Sequence, residues 1–323
     1  MAEQDTLLRI EGLCVSFPSG DGRVTILDNV SFEVFGREIV GLVGESGSGK
    51  TMTSLTVMGF LPPSGRIEGG EVWLGHDNLL KHTEEEMSRV RGRQIAMIFQ
   101  STRSALNPLM RVGDQVARVY GIQRGLGVRE ARKEAVRALN RMGIPDAEQR
   151  ARAYPHQLSR GMCQRVLIAM MVACEPALLI ADEPTTGLDV TIQAQIFELI
   201  KDVQQATEAS ILLITHDLGV VAETCERVVV MYAGQVMESA TVGPLFAKPI
   251  HPYTQRLLHS VLRVDKTVEM PTADAGLSEE VAYSVAGCRF APRCPRVLSQ
   301  CWEEMPPREL AGVDHWVKCH NYE

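Results

Sequence analysis

The segment GESGSGKT, residues 44–51, has the residue types and the spacing of a loop that binds phosphate groups. It follows the apolar run 38–43 and opens a predicted helix, which is the setting that this motif requires. Its glycines allow backbone N–H groups to converge on an anion, and the helix N-terminus adds partial positive charge. We predict a nucleotide site here. The alternative is a Gly/Ser-rich turn that happens to end in Lys-Thr.

Two residues of this loop have specific predicted roles. Lys50 should reach the β- and γ-phosphates, and Thr51 should hold Mg²⁺. The predicted nucleotide-binding residues of the loop are Gly44, Glu45, Ser46, Gly47, Ser48, Gly49, Lys50 and Thr51. The loop alone does not distinguish kinases, GTPases and transport ATPases, because all of them use it. A small GTPase is disfavoured because the sequence contains no N-K-x-D motif for guanine.

A second motif, LLIADEP at residues 178–184, is an apolar strand pattern that ends in two acids. Phosphate-loop enzymes place a Mg²⁺-binding carboxylate and a carboxylate that activates water at such a position. We therefore predict that Asp182 binds Mg²⁺ and that Glu183 is the general base. For this motif taken alone, a solvated strand end or a helix cap is an equal alternative.

The elements that must position these motifs follow an α/β pattern. Short apolar runs alternate with longer helical patterns between residues 38 and 235, which predicts a mostly parallel sheet wrapped by helices. The candidate strands are 38–43, 95–99, 177–181, 210–215 and 228–232. Helical spacing in residues 129–142 and 159–174 predicts an inserted helical lobe over about residues 112–175.

The composition of the chain changes after about residue 240. Several prolines, an acidic stretch at 272–280 and a group of cysteines follow one another there. We therefore predict a nucleotide-binding domain over residues 1–240 and a small C-terminal extension over residues 241–323. A single phosphate loop and the absence of internal repeats indicate one nucleotide-binding unit.

Charge and hydropathy exclude several other classes of function. The formal net charge is -7, so the surface as a whole repels nucleic acid and anionic lipid. The most apolar stretch, 166–181, is interrupted by Glu175 and Pro176 and falls short of the ~20 residues of a membrane helix. The N-terminus lacks the pattern of a secretory signal, so we expect a cytoplasmic protein whose membrane role comes through a partner.

Five further segments follow the phosphate loop in the order found in the ATP-binding-cassette (ABC) family. They are IFQ with Gln100, LSRGMCQR at 158–165, ADEP at 181–184, TGLD with Asp189 and ITHD with His216. Over about residues 7–240 the chain resembles that family. The resemblance implies the fold of a P-loop NTPase ABC nucleotide-binding domain, with a mostly parallel sheet core, an N-terminal antiparallel β part and an inserted helical lobe. It also implies two such domains that sandwich ATP head to tail.

The resemblance implies a role for each matching residue. Ser159 and Gly161 would donate hydrogen bonds to the γ-phosphate of ATP held by the partner domain, and Asp189 would shape the opposing site. Gln100 would contact Mg²⁺ and the attacking water, and His216 would hold the γ-phosphate and that water. Taken singly, these residues have ordinary alternatives: a strand-end histidine, a surface amide and a helix N-cap. The predicted catalytic set is Glu183, His216 and Gln100, and the predicted Mg²⁺ ligands are Thr51, Gln100 and Asp182.

The family pattern can be compared at two further positions, Phe17 and Arg160. Phe17 lies where the family usually has an aromatic residue that stacks on adenine, although core packing is an equal alternative. Arg160 departs from the pattern, because the family usually has Gly-Gly after the signature serine. It would either impair the composite site or serve as an extra phosphate contact.

HPYTQRLL at residues 251–258, together with the cysteine tail, resembles the C-terminal extension of ATP-binding subunits from oligopeptide and dipeptide importers. Residues 99–116 also resemble the corresponding segment of these importer subunits, which is where such a domain contacts its membrane partner. The resemblance implies peptide import at the cytoplasmic face of the membrane, driven by ATP hydrolysis. It implies as partners a second, different ATPase subunit, two transmembrane permease subunits and an external solute-binding protein. Nickel chelates, glutathione or sugars as substrates, or a soluble ABC ATPase outside transport, remain alternatives.

Four cysteines near the C-terminus have the spacing C-x5-C-x6-C-x17-C, namely Cys288, Cys294, Cys301 and Cys319. Four thiolates can close a metal or iron–sulfur site, and the resemblance implies a [4Fe-4S] cluster. Zinc, with His315 or His320 as a substitute ligand, and free thiols remain alternatives. We expect a cluster to stabilise the fold of the small extension rather than to regulate the protein through a redox change. The other cysteines, Cys14, Cys163, Cys174 and Cys225, are expected to be buried thiols.

Overall fold

The computed structural model describes residues 5–20, 22–100, 105–261 and 282–322. The chain forms two compact units, of which the first comprises residues 1–81 and 214–323 and the second residues 82–213. The acidic stretch predicted at 272–280 lies outside the described residues. So do residues 101–104 of the segment predicted to contact a membrane partner.

Strands and helices alternate through most of the chain. The strands are β1 (Thr6–Ser19), β2 (Gly22–Phe35), β3 (Ile39–Val43), β4 (Arg66–Leu74), β5 (Asp77–Asn78), β6 (Ile95–Ile98), β7 (Leu178–Asp182), β8 (Ser210–Ile214), β9 (Arg227–Tyr232), β10 (Gln235–Thr241), β11 (Glu309–Gly312) and β12 (His315–Val317). The α-helices are α1 (Lys50–Val57), α2 (Glu84–Val90), α3 (Val112–Arg124), α4 (Val128–Arg141), α5 (Ala147–Arg150), α6 (Arg160–Val172), α7 (Val190–Thr207), α8 (Leu218–Thr224), α9 (Val242–Ala247), α10 (Pro252–Val261) and α11 (Gln300–Glu303). Short 3₁₀ turns cover Leu79–Lys81, Pro155–Gln157 and Ala291–Arg293.

The first unit contains an antiparallel sheet with the strand order β2-β1-β4-β5. Alternate residues of β1 point into its core on either side of a register shift between Ile10 and Leu13, so that Leu8, Ile10, Leu13 and Val15 are almost completely buried. This alternation is the pattern of a sheet with one buried face. The strands form the N-terminal antiparallel part that the family resemblance implies.

A second sheet of the first unit has the order β11-β12-β10-β9-β3. Strands β3 and β9 are parallel, from Val40 opposite Arg227 to Val43 opposite Val230. All five residues of β3 are buried, because helices and strands cover both faces of a parallel sheet. Strand β12 pairs with β10, so the C-terminal tail completes the edge of this sheet.

The second unit carries strands β6, β7 and β8, with β6 and β7 parallel. The predicted strands 95–99, 177–181 and 210–215 agree with the observed ones to within one residue at either end. Helices α3, α4, α5 and α6 occupy the residues of the predicted helical lobe, and α3 packs against both α4 and α6. Among the helices that the structure describes, none is both long and apolar enough to cross a membrane.

Candidate active site

The phosphate loop joins the buried strand β3 to helix α1 in the first unit. Gly44 has a φ of +155°, and a Cβ atom there would overlap the carbonyl oxygen of Met231, so the loop requires glycine at this position. Lys50 is buried, and its Nζ donates to the carbonyl oxygens of Gly44 and Glu45 at 2.8 Å each. A further bond joins Nζ to Ser48 Oγ at 3.1 Å. The loop is therefore wrapped around its own lysine.

This arrangement concentrates positive charge at one end of helix α1. Lys50 is the first residue of that helix, so its ammonium group adds to the partial charge of the N-terminus. Thr51, the next residue, is exposed. Such a site is suited to a phosphate group.

The acidic motif lies at the end of strand β7 in the second unit. Asp182 is the last residue of the strand and is 2% exposed, whereas Glu183 is half-buried. Glu183 has a φ of +44°, a left-handed conformation that is costly for a residue with a side chain and is common at functional sites. Its Oε2 atom accepts hydrogen bonds from Gln100 Nε2 and Thr186 Oγ1, each at 2.8 Å. The structure therefore brings two predicted catalytic residues, Gln100 and Glu183, into direct contact.

The sequence prediction did not include Thr186, which lies three residues after Glu183 in an exposed turn. The turn is closed by a bond from the Thr186 N–H to the Glu183 carbonyl oxygen at 3.2 Å. A hydroxyl at this spacing from an acid is the sequence signal that could have pointed to it, because turns of this kind return a side chain to the residue three positions before.

His216 lies in the first unit, two residues after the end of strand β8, and its side chain is exposed. The following residue, Asp217, caps helix α8 by accepting from the N–H groups of Gly219 and Val220. This cap fixes the backbone beside His216. Phe17 lies on β1 opposite Val24 and is half-buried, close to Gly65.

The signature segment begins helix α6 in the second unit. Ser159 is the N-cap of this helix, and its Oγ accepts from the Met162 N–H at 3.2 Å. Asp189 caps helix α7 in the same way, by accepting from the Ile192 N–H at 3.0 Å. Gly161 lies so close to Ile192 that a Cβ atom on it would meet that side chain at 2.8 Å. Both N-caps are exposed, so the unit presents two helix N-termini to solvent.

Arg160 makes a contact that the sequence did not reveal. Its guanidinium Nη1 donates to the carbonyl oxygen of Gly187 at 2.7 Å. Gly187 has a φ of +74°, and any side chain on it would collide with this guanidinium. Arg160 therefore ties the start of α6 to the turn before α7.

The four cysteines of the C-terminal tail do not form the predicted metal site in this structure. Among the described residues, no group of three or more Cys, His, Asp or Glu side chains is arranged to hold a metal ion. The thiols are nevertheless neighbours: the pKa of Cys288 is raised to about 12, chiefly by burial, with smaller contributions from Cys301, Cys319 and Cys294 and a backbone hydrogen bond at Phe290 opposing the shift. The donor set thus has the chemistry of a thiolate site.

The cysteines of the rest of the chain follow the prediction in part. Cys163 and Cys225 are buried, as expected. Cys14 and Cys174 are only partly buried, which corrects the expectation for these two. Burial still raises the pKa of the Cys174 thiol to about 11, with Arg124 opposing the shift, which disfavours the thiolate at neutral pH.

Two regions of the chain match known protein families. Residues 27–186 match the family described as ABC transporter, and residues 237–301 match the family described as oligopeptide/dipeptide transporter, C-terminal region. The oligopeptide transport ATP-binding protein AppD of Bacillus subtilis is 45% identical over 98% of this chain and 97% of its own length. The dipeptide transport protein DppD of the same organism is 44% identical, over 98% and 94%. The oligopeptide transport protein OppD of Escherichia coli is 43% identical, over 95% and 90%.

Solved structures of ATP-binding cassettes have a similar fold. A dimeric ATP-binding cassette, MJ0796, bound to ADP and Pi has a TM-score of 0.65 and 26% identity, and covers 73% of this chain and 98% of its own. The cbiO1 protein of Clostridium perfringens, part of an ABC transporter complex, has a TM-score of 0.64 and 26% identity over 80% and 96%. The fold and the phosphate loop define a P-loop ATPase of the ATP-binding-cassette type. The chain belongs to the ABC transporter family, as an ATP-binding subunit similar to those of oligopeptide and dipeptide transporters.

Proposed function

We propose that this chain hydrolyses ATP to drive the import of dipeptides and oligopeptides through a multi-subunit ABC importer at the cytoplasmic face of the membrane. The observation that carries the proposal is similarity to peptide transport ATP-binding proteins over at least 95% of the chain. That similarity includes the C-terminal region typical of oligopeptide and dipeptide transporters. A soluble ABC ATPase does not account for this region.

The chemistry proposed for the chain's own side chains begins with the phosphate loop. Lys50 and the N-terminus of α1 would bind the phosphates of ATP, and Thr51, Gln100 and Asp182 would hold the Mg²⁺ that accompanies them. The adenine would stack on Phe17. Mg²⁺ would neutralise charge that develops on the phosphates during transfer.

Glu183 is proposed as the general base that accepts a proton from the attacking water. The bonds from Gln100 and Thr186 engage its Oε2 atom and so fix the orientation of the carboxylate. A base held in one orientation loses less entropy when it meets its water, which favours proton transfer. His216 would hold the same water and the γ-phosphate.

The signature residues are proposed to serve a second ATPase subunit. Ser159 and Gly161 lie at an exposed helix N-terminus, which is a ready site for the γ-phosphate of a partner's ATP. Asp189 would contribute to the opposing site in the same way. Two transmembrane permease subunits and an external solute-binding protein would complete the importer.

The substrate class can be tested with the complex that copurifies with this chain, reconstituted into lipid vesicles. We expect ATP hydrolysis to rise when the solute-binding protein is loaded with di- or oligopeptides. Nickel chelates, glutathione and sugars should give no stimulation. Stimulation by one of these, with none by peptides, would contradict the peptide proposal and leave the ATPase assignment intact.

We propose separately that Cys288, Cys294, Cys301 and Cys319 bind a [4Fe-4S] cluster. Support comes from the thiol donor set and from the mutual influence of these thiols on the pKa of Cys288. Iron and acid-labile sulfide should be found in the full chain purified without oxygen. Cys301→Ser should lose both, whereas the control Cys174→Ser should keep them. Equal iron in Cys301→Ser and in the unsubstituted chain would rule the cluster out.

A further inference from the structure

Three side chains from the C-terminal part of the chain contact the phosphate loop directly. Tyr253 Oη accepts from the backbone N–H of Glu45 at 2.9 Å. Tyr283 Oη donates to the carbonyl oxygen of Gly47 at 2.7 Å. Arg293 Nη1 donates to Glu45 Oε2 at 2.9 Å. We call Tyr253, Tyr283 and Arg293 the loop clamp.

Aromatic packing holds part of the clamp in place. Tyr253 is completely buried, and its ring centroid lies 4.7 Å from that of Tyr232 and 5.4 Å from that of Phe290. Arg293 lies over the ring of Tyr232 and also donates to its hydroxyl at 3.2 Å. Burial, together with the charge of Glu45, raises the pKa of Tyr253, which keeps its hydroxyl neutral. The clamp residues therefore meet the loop from fixed positions.

A second contact reaches the loop through the turn between β9 and β10. Arg289 Nη1 donates to the carbonyl oxygen of Ala233 at 2.5 Å, and Nη2 donates to that of Thr25 at 2.9 Å. The next residue in the turn, Gly234, donates its N–H to the Ser48 carbonyl oxygen at 2.9 Å. The C-terminal extension thus contacts the phosphate loop directly and also supports it through the turn between β9 and β10.

We propose that the C-terminal extension sets the conformation of the phosphate loop, with Tyr253, Tyr283 and Arg293 acting as positioning residues for ATP. The inference rests on the proposed ATPase function and extends it to residues of the C-terminal extension. A phosphate loop binds through backbone groups, so its affinity depends on the loop being held in the binding conformation before the nucleotide arrives. The clamp fixes both Glu45 and Gly47 in this way, without itself belonging to the loop.

The test uses the full chain and two conservative changes, Tyr283→Phe and Arg293→Gln. Each removes hydrogen bonds to the loop and leaves most of the packing in place. Affinity for MgATP, measured by displacement of a fluorescent ATP analogue, should fall about 3- to 10-fold for each variant. The matched control is Tyr322→Phe, which removes a tyrosine hydroxyl elsewhere in the same extension. Thermal unfolding should show that all three variants remain folded.

Two readouts separate positioning from a general structural effect. In the assembled complex, Tyr283→Phe should raise the KM for ATP more than it lowers kcat, because the clamp acts on binding. Arg293→Gln should have little additional effect once Glu45→Gln has replaced the carboxylate that pairs with Arg293 by a neutral amide, and Arg293→Lys should recover part of the affinity.

The possible results separate failure of the proposed function from failure of the loop clamp. Failure of the unsubstituted chain to bind MgATP would count against the proposed function itself. Normal binding by the unsubstituted chain, with Tyr283→Phe and Arg293→Gln equal to it or tighter, would overturn the clamp. Additive effects of Glu45→Gln and Arg293→Gln would overturn the assigned contact between these two side chains.

Discussion

At the scale of single residues, the arrangement around Glu183 links backbone strain to the proposed chemistry. The residue has a left-handed backbone, and two donors converge on one of its carboxylate oxygens. Strain of this kind persists only where the surrounding structure maintains it. Thr186 and Gln100 are therefore part of what keeps the proposed base oriented.

Thr186→Val should lower kcat for ATP hydrolysis by about 3- to 10-fold, because it removes one of the hydrogen bonds that orient Glu183. Affinity for MgATP should change little, since the described contacts of the Thr186 side chain involve only Glu183. Thr186→Ser keeps the hydroxyl and should behave like the unsubstituted chain. Steady-state turnover of the assembled complex, together with nucleotide titration, measures both quantities. An unchanged kcat in Thr186→Val would show that the hydroxyl does not support the base.

At the scale of elements, the starts of α6 and α7 are joined by a single side chain. Arg160 spans from the first residue of α6 to the carbonyl oxygen of Gly187, two residues before the N-cap of α7. The departure from the usual glycine thus adds a bond within the chain. The sequence alone left a choice between a phosphate contact and an impaired site.

Arg160→Gly should lower turnover of the assembled complex by about 2- to 5-fold, because the turn that carries Asp189 loses one of its restraints. Arg160→Lys should recover only part of the loss, since an ammonium lacks the planar fork of a guanidinium. Arg152→Gly, which also removes an exposed positive charge, serves as the control. Turnover in Arg160→Gly equal to that of the unsubstituted complex would remove any functional role for this arginine.

The buried strands were predictable from the sequence, whereas the contacts between distant segments were not. Strands such as β3 and β7 are apolar on both faces, so their residue types specify them locally. Helix α3 was located only as part of the lobe, because polar and charged residues interrupt its apolar positions. The contact of Tyr283 with Gly47 joins residues 236 positions apart, and no local pattern encodes such a pair.

At the scale of the whole molecule, a buried histidine makes stability depend on pH. His251 is completely buried, and its Nδ1 accepts from the Tyr253 N–H at 3.0 Å. Burial lowers the pKa of His251 from 6.5 to about 4; Arg296 adds to this shift and Glu238 opposes it. At pH values between about 4 and 6.5, His251 is therefore protonated in the unfolded chain and neutral in the folded chain.

The free energy of unfolding should consequently fall as pH decreases from about 6.5 towards 4, by up to ~3 kcal/mol from this group. His251→Asn can still accept the Tyr253 N–H and should flatten that dependence. The control His259→Asn, at an exposed histidine of helix α10, should leave it unchanged. Urea unfolding at a series of pH values between 7 and 4.5 measures the slope. The same slope in His251→Asn as in the unsubstituted chain would refute the assignment.

Uptake of labelled peptides by living cells shows whether ATP hydrolysis at Glu183 drives peptide import. The chromosomal gene would carry Glu183→Gln, with Glu130→Gln at an exposed helical position as the control, and both proteins would be checked for equal expression. Uptake of labelled dipeptides and oligopeptides should be lost in Glu183→Gln and retained in Glu130→Gln. Normal peptide uptake in Glu183→Gln cells would contradict the account.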